Sequence, residues 1–132
     1  EQRSFGSIDA YIAGSVDPGL FFIVGKLSKG ILMQTAEQSI WNELETLKTE
    51  LVNDEELEKV KNRFESEQIF NNTNYLNVAT NLAYFEMLDQ AEDINLEVPK
   101  YRAVTREQVR DVANRVFIKT NNCTLYYRSN NV

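Results

Sequence analysis

The sequence predicts an α+β fold, an antiparallel sheet with helices packed on one face, in the order β-β-α-α-α-α-β. Three observations carry that expectation. Apolar residues alternate or run unbroken through residues 7–27, as they do in strands. Between Thr35 and Val116 they recur every three or four residues instead, behind helix-capping patterns. Near the end, "NNCTLYYR" returns to strand character, with Leu125 and Tyr127 on one face. Helices grouped between strands, rather than alternating with them, favour α+β over a parallel sheet.

The opening hairpin is "SIDAYIAGSVDPGLFFIVGKL". Asp17-Pro18-Gly19 reads as a tight turn, with Pro18 presetting φ and Gly19 able to supply φ > 0. The second strand, residues 20–24, has no polar face. Leu20, Phe22 and Val24 point one way, and Phe21 and Ile23 point the other. A strand apolar on both faces needs cover on both. With three strands expected, one face lacks an evident partner within the chain.

After the connection "SKGILMQ", Thr35 and Gln38 match a capping box, and Ile40, Leu44, Leu47 and Leu51 follow on one helical face. Trp41 flanks that face as a packing residue. "NDEELEKVKNRFESEQ" opens a second helix: Asn53 caps, Glu56 answers three residues later, and Leu57, Val60 and Phe64 mark the buried side. Asp54, Glu55 and Glu56 suit the positive end of a helix dipole better than a cation site, because consecutive acids spread around the axis. Asn71, Asn72, Asn74, Asn77 and Asn81 crowd the next stretch and predict a break at residues 71–74. Capping and turn formation explain these asparagines better than a peptide-binding groove does. A helix over residues 75–88 follows, with Leu82, Phe85 and Leu88 on its apolar face. "DQAEDINLEVPKYRAV" reads as a polar link in which Pro99 discourages helix at Val98. Thr105 and Gln108 form a further capping box, leading into Val109, Val112 and Val116.

Composition narrows the function. The chain has 132 residues, room for one domain with a real core. Its 14 basic and 20 acidic residues give a net charge of −6. Lys59, Lys61 and Arg63 are interleaved with Glu55, Glu56, Glu58 and Glu65, a solvated helix face rather than a phosphate track. Nucleic acid is not expected as a partner. No apolar run is long enough to span a bilayer, so no membrane partner is expected either. The chain begins at Glu1 rather than Met, which points to a piece of a longer protein. There is no histidine, and the one cysteine, Cys123, lies in apolar "CTLYY" as an expected buried, inert thiol. Neither a hydrolytic general base of the usual kind nor a zinc site is expected here: no catalytic, cofactor-binding or metal-binding residue is assigned.

"DPGLFFIVGKL", "NDEELEKVKNRFESEQ", "NYLNVATNLAYFEML", "AEDINLEVPKYRAVTREQVRDVANRVF" and the closing "CTLYYR" occur in an order that resembles the pitrilysin/insulinase family of zinc metallopeptidases, closest to its bacterial processing-peptidase branch. The resemblance covers nearly the whole chain. It implies that residues 1–132 form one domain, the C-terminal half of an insulinase-type peptidase domain. In that family two similar halves make each α+β domain, and paired domains enclose a chamber for unfolded peptides. Zinc is held by a His-x-x-Glu-His motif and a distant glutamate, and the motif's glutamate activates the zinc-bound water. Those residues belong to the first half, so none carries over.

The resemblance therefore implies a non-catalytic portion of a zinc metalloendopeptidase, completing the fold, the peptide-binding chamber and its domain contacts. Zinc is expected in the parent protein and not in this chain. The expected partners are the missing half-domain, a second peptidase domain and a peptide substrate. The expected location is the bacterial cytoplasm or periplasm. One departure matters. The family's substrate-gripping tyrosine aligns with Gly6 and its arginine at or before Glu1, so neither Arg3 nor Tyr11 inherits that role. Two other functions fit the same residues: a structural or regulatory subunit that has lost the zinc site, and a stand-alone peptide-binding module. The module leaves the two-sided apolar strand unexplained.

Overall fold

The computed structural model describes residues 4–14 and 16–128. The fold is α+β: one two-stranded antiparallel sheet and, among the described residues, five α-helices. The described residues form two units, one of those up to 49 with those from 113 to 128, the other of residues 50–112.

In the first unit, β1 (Phe5–Ile12) pairs with β2 (Phe21–Leu27). The register runs from Ile12 opposite Phe21 to Ile8 opposite Gly25, then shifts at Gly6 so that Phe5 meets Leu27. Tyr11 and Phe22 are direct cross-strand partners, and their rings stack with centroids 5.4 Å apart. The connection is longer than the tight turn expected from Asp17-Pro18-Gly19. It spans residues 13–20, and one more backbone bond, Ala13 N–H to Leu20 O at 3.0 Å, closes its base. Pro18 has no N–H with which to extend the ladder. Gly19 does not take positive φ. It is needed for close approach, since a Cβ there would lie 2.3 Å from the Ala13 carbonyl oxygen.

Gly30 is the positive-φ residue, at 85°. It occupies the third position of the turn closed by Ile31 N–H to Ser28 O, the place where a type II turn requires it. That turn, and not a capping box at Thr35, sets the start of α1 (Met33–Thr49). Thr35 lies inside the helix, where its carbonyl accepts from the Ser39 hydroxyl at 3.0 Å. Ala36 and Leu44 are buried, with Ile40 and Leu47 half-buried on the same stripe. Leu51 falls beyond the helix end.

In the second unit, α2 (Asp54–Asn71) starts at Asn53, whose side-chain oxygen accepts from Glu55 N–H at 3.0 Å. Glu56 makes no return bond among the described residues, so the expected capping box is a single cap. The half-buried side carries Leu57, Lys61, Phe64, Glu65 and Gln68, while Val60 is exposed. The predicted break at the asparagines is present. Asn74 caps α3 (Tyr75–Leu88) by accepting from Leu76 N–H at 2.9 Å. Val78, Asn81 and Phe85 form the half-buried stripe of α3, and Leu82 and Leu88 lie at its exposed border.

The polar link is folded. A 3₁₀ helix over Ala91–Leu96 runs into α4 (Glu97–Ala103). Pro99 is tolerated because it sits in the first turn of α4, where backbone N–H groups have no helical acceptor to lose. The capping box at Thr105 forms in full: Gln108 N–H donates to Thr105 Oγ1 at 3.2 Å, and Thr105 N–H donates to Gln108 Oε1 at 2.9 Å. It opens α5 (Arg106–Val116), whose last residues belong to the first unit. There Ala113 is buried and Phe117 packs edge-on against Phe21 at 5.1 Å. Val112 and Val116, expected on the core side, are exposed.

The last strand of the expected order is not formed among the described residues. A short 3₁₀ turn, Lys119–Asn121, is followed by residues 122–128 without a ladder partner. Asn122 has extended dihedrals, φ −138° and ψ 161°. Local extension is present there, but a strand also needs a second strand to bond.

Candidate functional site

Polar side chains are concentrated in three places. In the first unit, Glu37 of α1 receives the Tyr126 hydroxyl and the Thr124 hydroxyl, the latter at 2.9 Å. The Tyr126 bond, then that from Thr124, holds the Glu37 carboxyl below its ordinary pKa, with Trp41 adding a smaller hydrogen-bond contribution. The same bond raises the Tyr126 phenol. Thr124 and Tyr126 face α1, while Leu125 and Tyr127 between and beyond them are 89% and 87% exposed. The cluster therefore ties an extended segment to a helix.

In the second unit, Arg102 of α4 reaches three side chains on α2. Its Nε donates to Glu65 Oε2 at 2.9 Å, Nη1 to Glu58 Oε2 at 3.2 Å, and Nη2 to Asn62 Oδ1 at 2.7 Å and to Glu65. Beside it the Phe64 and Tyr101 rings lie nearly parallel. Arg106 pairs with Asp54 at 2.7 Å, so the first acid of the α2 start binds a guanidinium. Each guanidinium is matched by carboxylate. The arrangement braces α4 and the start of α5 against α2, and leaves Arg106 Nε buried without a hydrogen-bond partner among the described residues.

The third place is a cleft of about 490 Å³ in the same unit. α2 contributes Gln68, with Asn72 at its C-cap; α3 contributes Val78 and Leu82. The folded link supplies Ile94, Asn95, Glu97 and Val98. The Gln68 and Asn72 amides bond to no side chain or backbone group among the described residues. Glu97 keeps one long ion pair, to Lys100 at 3.5 Å.

Of the crowded asparagines, Asn72 alone lines this cleft; Asn74 is a cap, and the Asn71 carbonyl accepts from Asn74 N–H at 3.3 Å. Sequence reasoning missed Gln68, Asn95 and Glu97. Taking the link for coil hid the turn that sets Asn95 and Glu97 opposite α2. Cys123 is exposed, contrary to the buried thiol expected. Tyr11 is taken up by its stack on Phe22, and Arg3 lies outside the described residues. No group of three histidine, cysteine, aspartate or glutamate side chains fit to hold a metal ion occurs among the described residues. No helix among them is long and apolar enough to cross a membrane.

No family model matches the chain, and no curated protein does. Solved structures do. A protease from Helicobacter pylori superposes with a TM-score of 0.81 at 19% identity, over 90% of this chain and 29% of that one. A proposed zinc protease from Bordetella pertussis Tohama I superposes with a TM-score of 0.73 at 19% identity, over 86% of this chain and 63% of that one. The chain thus has a fold found within bacterial proteases, and it spans less than two thirds of either.

Proposed function

We propose that this chain is a non-catalytic portion of a zinc metalloendopeptidase of the pitrilysin/insulinase type, the C-terminal half of one of its domains. The observation that carries the proposal is the superposition of nine tenths of the chain on under a third of a protease. The chain has no histidine, the residue type that supplies two of the zinc ligands in that family. Its work is to complete the domain, to wall the peptide chamber, and to contact the first half-domain and a second peptidase domain. The open face of β2 supports that role. Leu20, Phe22 and Val24 are 67%, 37% and 53% exposed, and Tyr11 beside them is 50% exposed.

The test is to express the longest open reading frame containing this sequence and measure its zinc content and its cleavage of an unfolded peptide. The proposal expects one zinc per catalytic domain, and hydrolysis that a chelator abolishes. A parent with neither zinc nor a peptidase partner overturns it. A metal-free parent that activates a zinc-bearing partner chain shows instead a structural or regulatory subunit.

A further inference from the structure

We infer that α3 is a self-pairing helix, whose outer face docks antiparallel on the same face of a second copy of this chain. Opposite its half-buried residues Val78, Asn81 and Phe85 run Leu76, Thr80, Ala83 and Met87, at spacings of four, three and four. All four are exposed, Leu76 and Met87 by 73% and 68%. The Thr80 hydroxyl donates to the Leu76 carbonyl oxygen at 2.8 Å, so this side chain is satisfied within the helix and offers its methyl outward. The stripe is apolar along its whole length, large at both ends and small in the middle.

Three further observations commit this face to a second copy. The stripe reads the same in both directions. A two-fold axis at the level between Asn81 and Leu82 sets Leu76 opposite Met87 of the other copy and Thr80 opposite Ala83. The small central pair lets the helix axes approach, and the large ends close the gap on either side. Charge points the same way. Residues 68–85 contain no Asp, Glu, Lys or Arg, the longest such run in a chain that is 26% charged. Copies that each carry a net charge of −6 repel wherever their carboxylates face, and here they meet without that cost. Glu86 is the one charged residue of α3. The axis keeps its two copies about 13 Å apart along the helices. It places each on the same flank as Tyr75 of the other copy, 91% exposed, whose hydroxyl can donate to the carboxylate. The third observation is area. Covering the stripe with Tyr75, Ala79 and Tyr84 removes roughly 500 Å² per copy, about 1,000 Å² in all, the low end for a specific interface. The dimer is therefore weak and concentration-dependent.

The pairing is independent of the peptidase proposal, since zinc in a parent protein leaves it untouched. It is also distinct from the open hairpin face, which Val24→Lys blocks, so the test uses the chain carrying that change. Sedimentation should show a monomer–dimer equilibrium. Adding Ala83→Lys at the centre of the stripe should weaken the dimer about tenfold or more. The melting temperature should hold, because lysine is a good helix former at an exposed site. Cross-linking reads the geometry. With Cys123→Ser also present, chains carrying Leu76→Cys and chains carrying Met87→Cys should join when mixed, through a thiol reagent spanning about 8 Å. Neither should join to itself, because equivalent positions lie about 16 Å apart along the paired helices. A chain that stays monomeric, a dimer indifferent to Ala83→Lys, or cross-linking that favours either variant alone over the mixture would each overturn the pairing.

Discussion

Glu37 is the residue whose state is most open to measurement, because the chain's one tryptophan, Trp41, shares its hydrogen bonds. Its carboxyl pKa is lowered from 4.5, first by the Tyr126 hydroxyl and then by Thr124. A depressed carboxylate stabilises the fold above its unfolded value and loses that contribution as pH falls through the folded value. Residues 122–128 should therefore be held on α1 at neutral pH and released in acid, below pH 4.5. Trp41 fluorescence should report a transition there, and Glu37→Gln should remove it; an identical titration in the variant would contradict the role given to Glu37. Arg102 offers a second residue-scale test. A lysine cannot reproduce a planar fork that reaches Glu58, Asn62 and Glu65 together. Because the guanidinium is 37% exposed, solvent screens much of the charge pairing. Arg102→Lys should cost about 0.5–1 kcal/mol in urea unfolding, and a neutral result would show that the stacked Phe64–Tyr101 pair holds α4 unaided.

Two helices begin on similar sequence signals and end up with different caps. At α5, Thr105 and Gln108 bond each other's backbone, so either Thr105→Ala or Gln108→Ala should lose stability, by about 1 kcal/mol for the threonine. At α2, Asn53 alone is engaged. Asn53→Ala should cost about 1 kcal/mol, while Glu56→Ala should stay within about 0.5 kcal/mol, as surface changes do. Thermal melts of the four variants separate the cases, and equal losses at Asn53 and Glu56 would restore the full box. The contrast shows what a sequence can and cannot fix at this scale. α2 and α3 were legible from Asn53, the asparagine break and the apolar spacing, because local chemistry decides them. The start of α1 was not, since Gly30 and its turn outweigh the Thr35–Gln38 pattern. α4 was hidden by Pro99, which breaks a helix interior but not a first turn. The cleft depends on that hidden element, so Asn72 and Leu82 are legible among its lining residues while Asn95 and Glu97 are not. The last strand failed for another reason: ladder bonding is a property of two segments, and "CTLYY" carries information about one.

Across the whole chain, burial is sparse. Ala36, Leu44 and Ala113 are the buried apolar residues among those described, while Phe70, Tyr75 and Leu76 are 73%, 91% and 73% exposed. α3 is apolar around most of its circumference, a pattern of helices enclosed on all sides. The hairpin shows the same imbalance, and it answers which side of β2 the chain covers. Phe21, on the face shared with Ile23, meets Phe117 edge-on but stays 39% exposed, and Ile23 is half-buried, so this face is covered in part. Phe22 and Val24, on the other face, meet Tyr11 and then solvent. Contiguous exposed apolar surface of this kind promotes association. The free chain should therefore self-associate as its concentration rises and should bind a hydrophobic dye. The two faces separate association from stability. Val24→Lys adds charge to the open face, so it should shift sedimentation toward monomer and reduce dye binding at nearly unchanged melting temperature. Ile23→Lys sets that charge against the partly covered face and should instead lower the melting temperature. A wild-type chain that stays monomeric at high concentration without binding dye would contradict the open face, and a Val24→Lys variant as unstable as Ile23→Lys would show that both faces are covered within the chain.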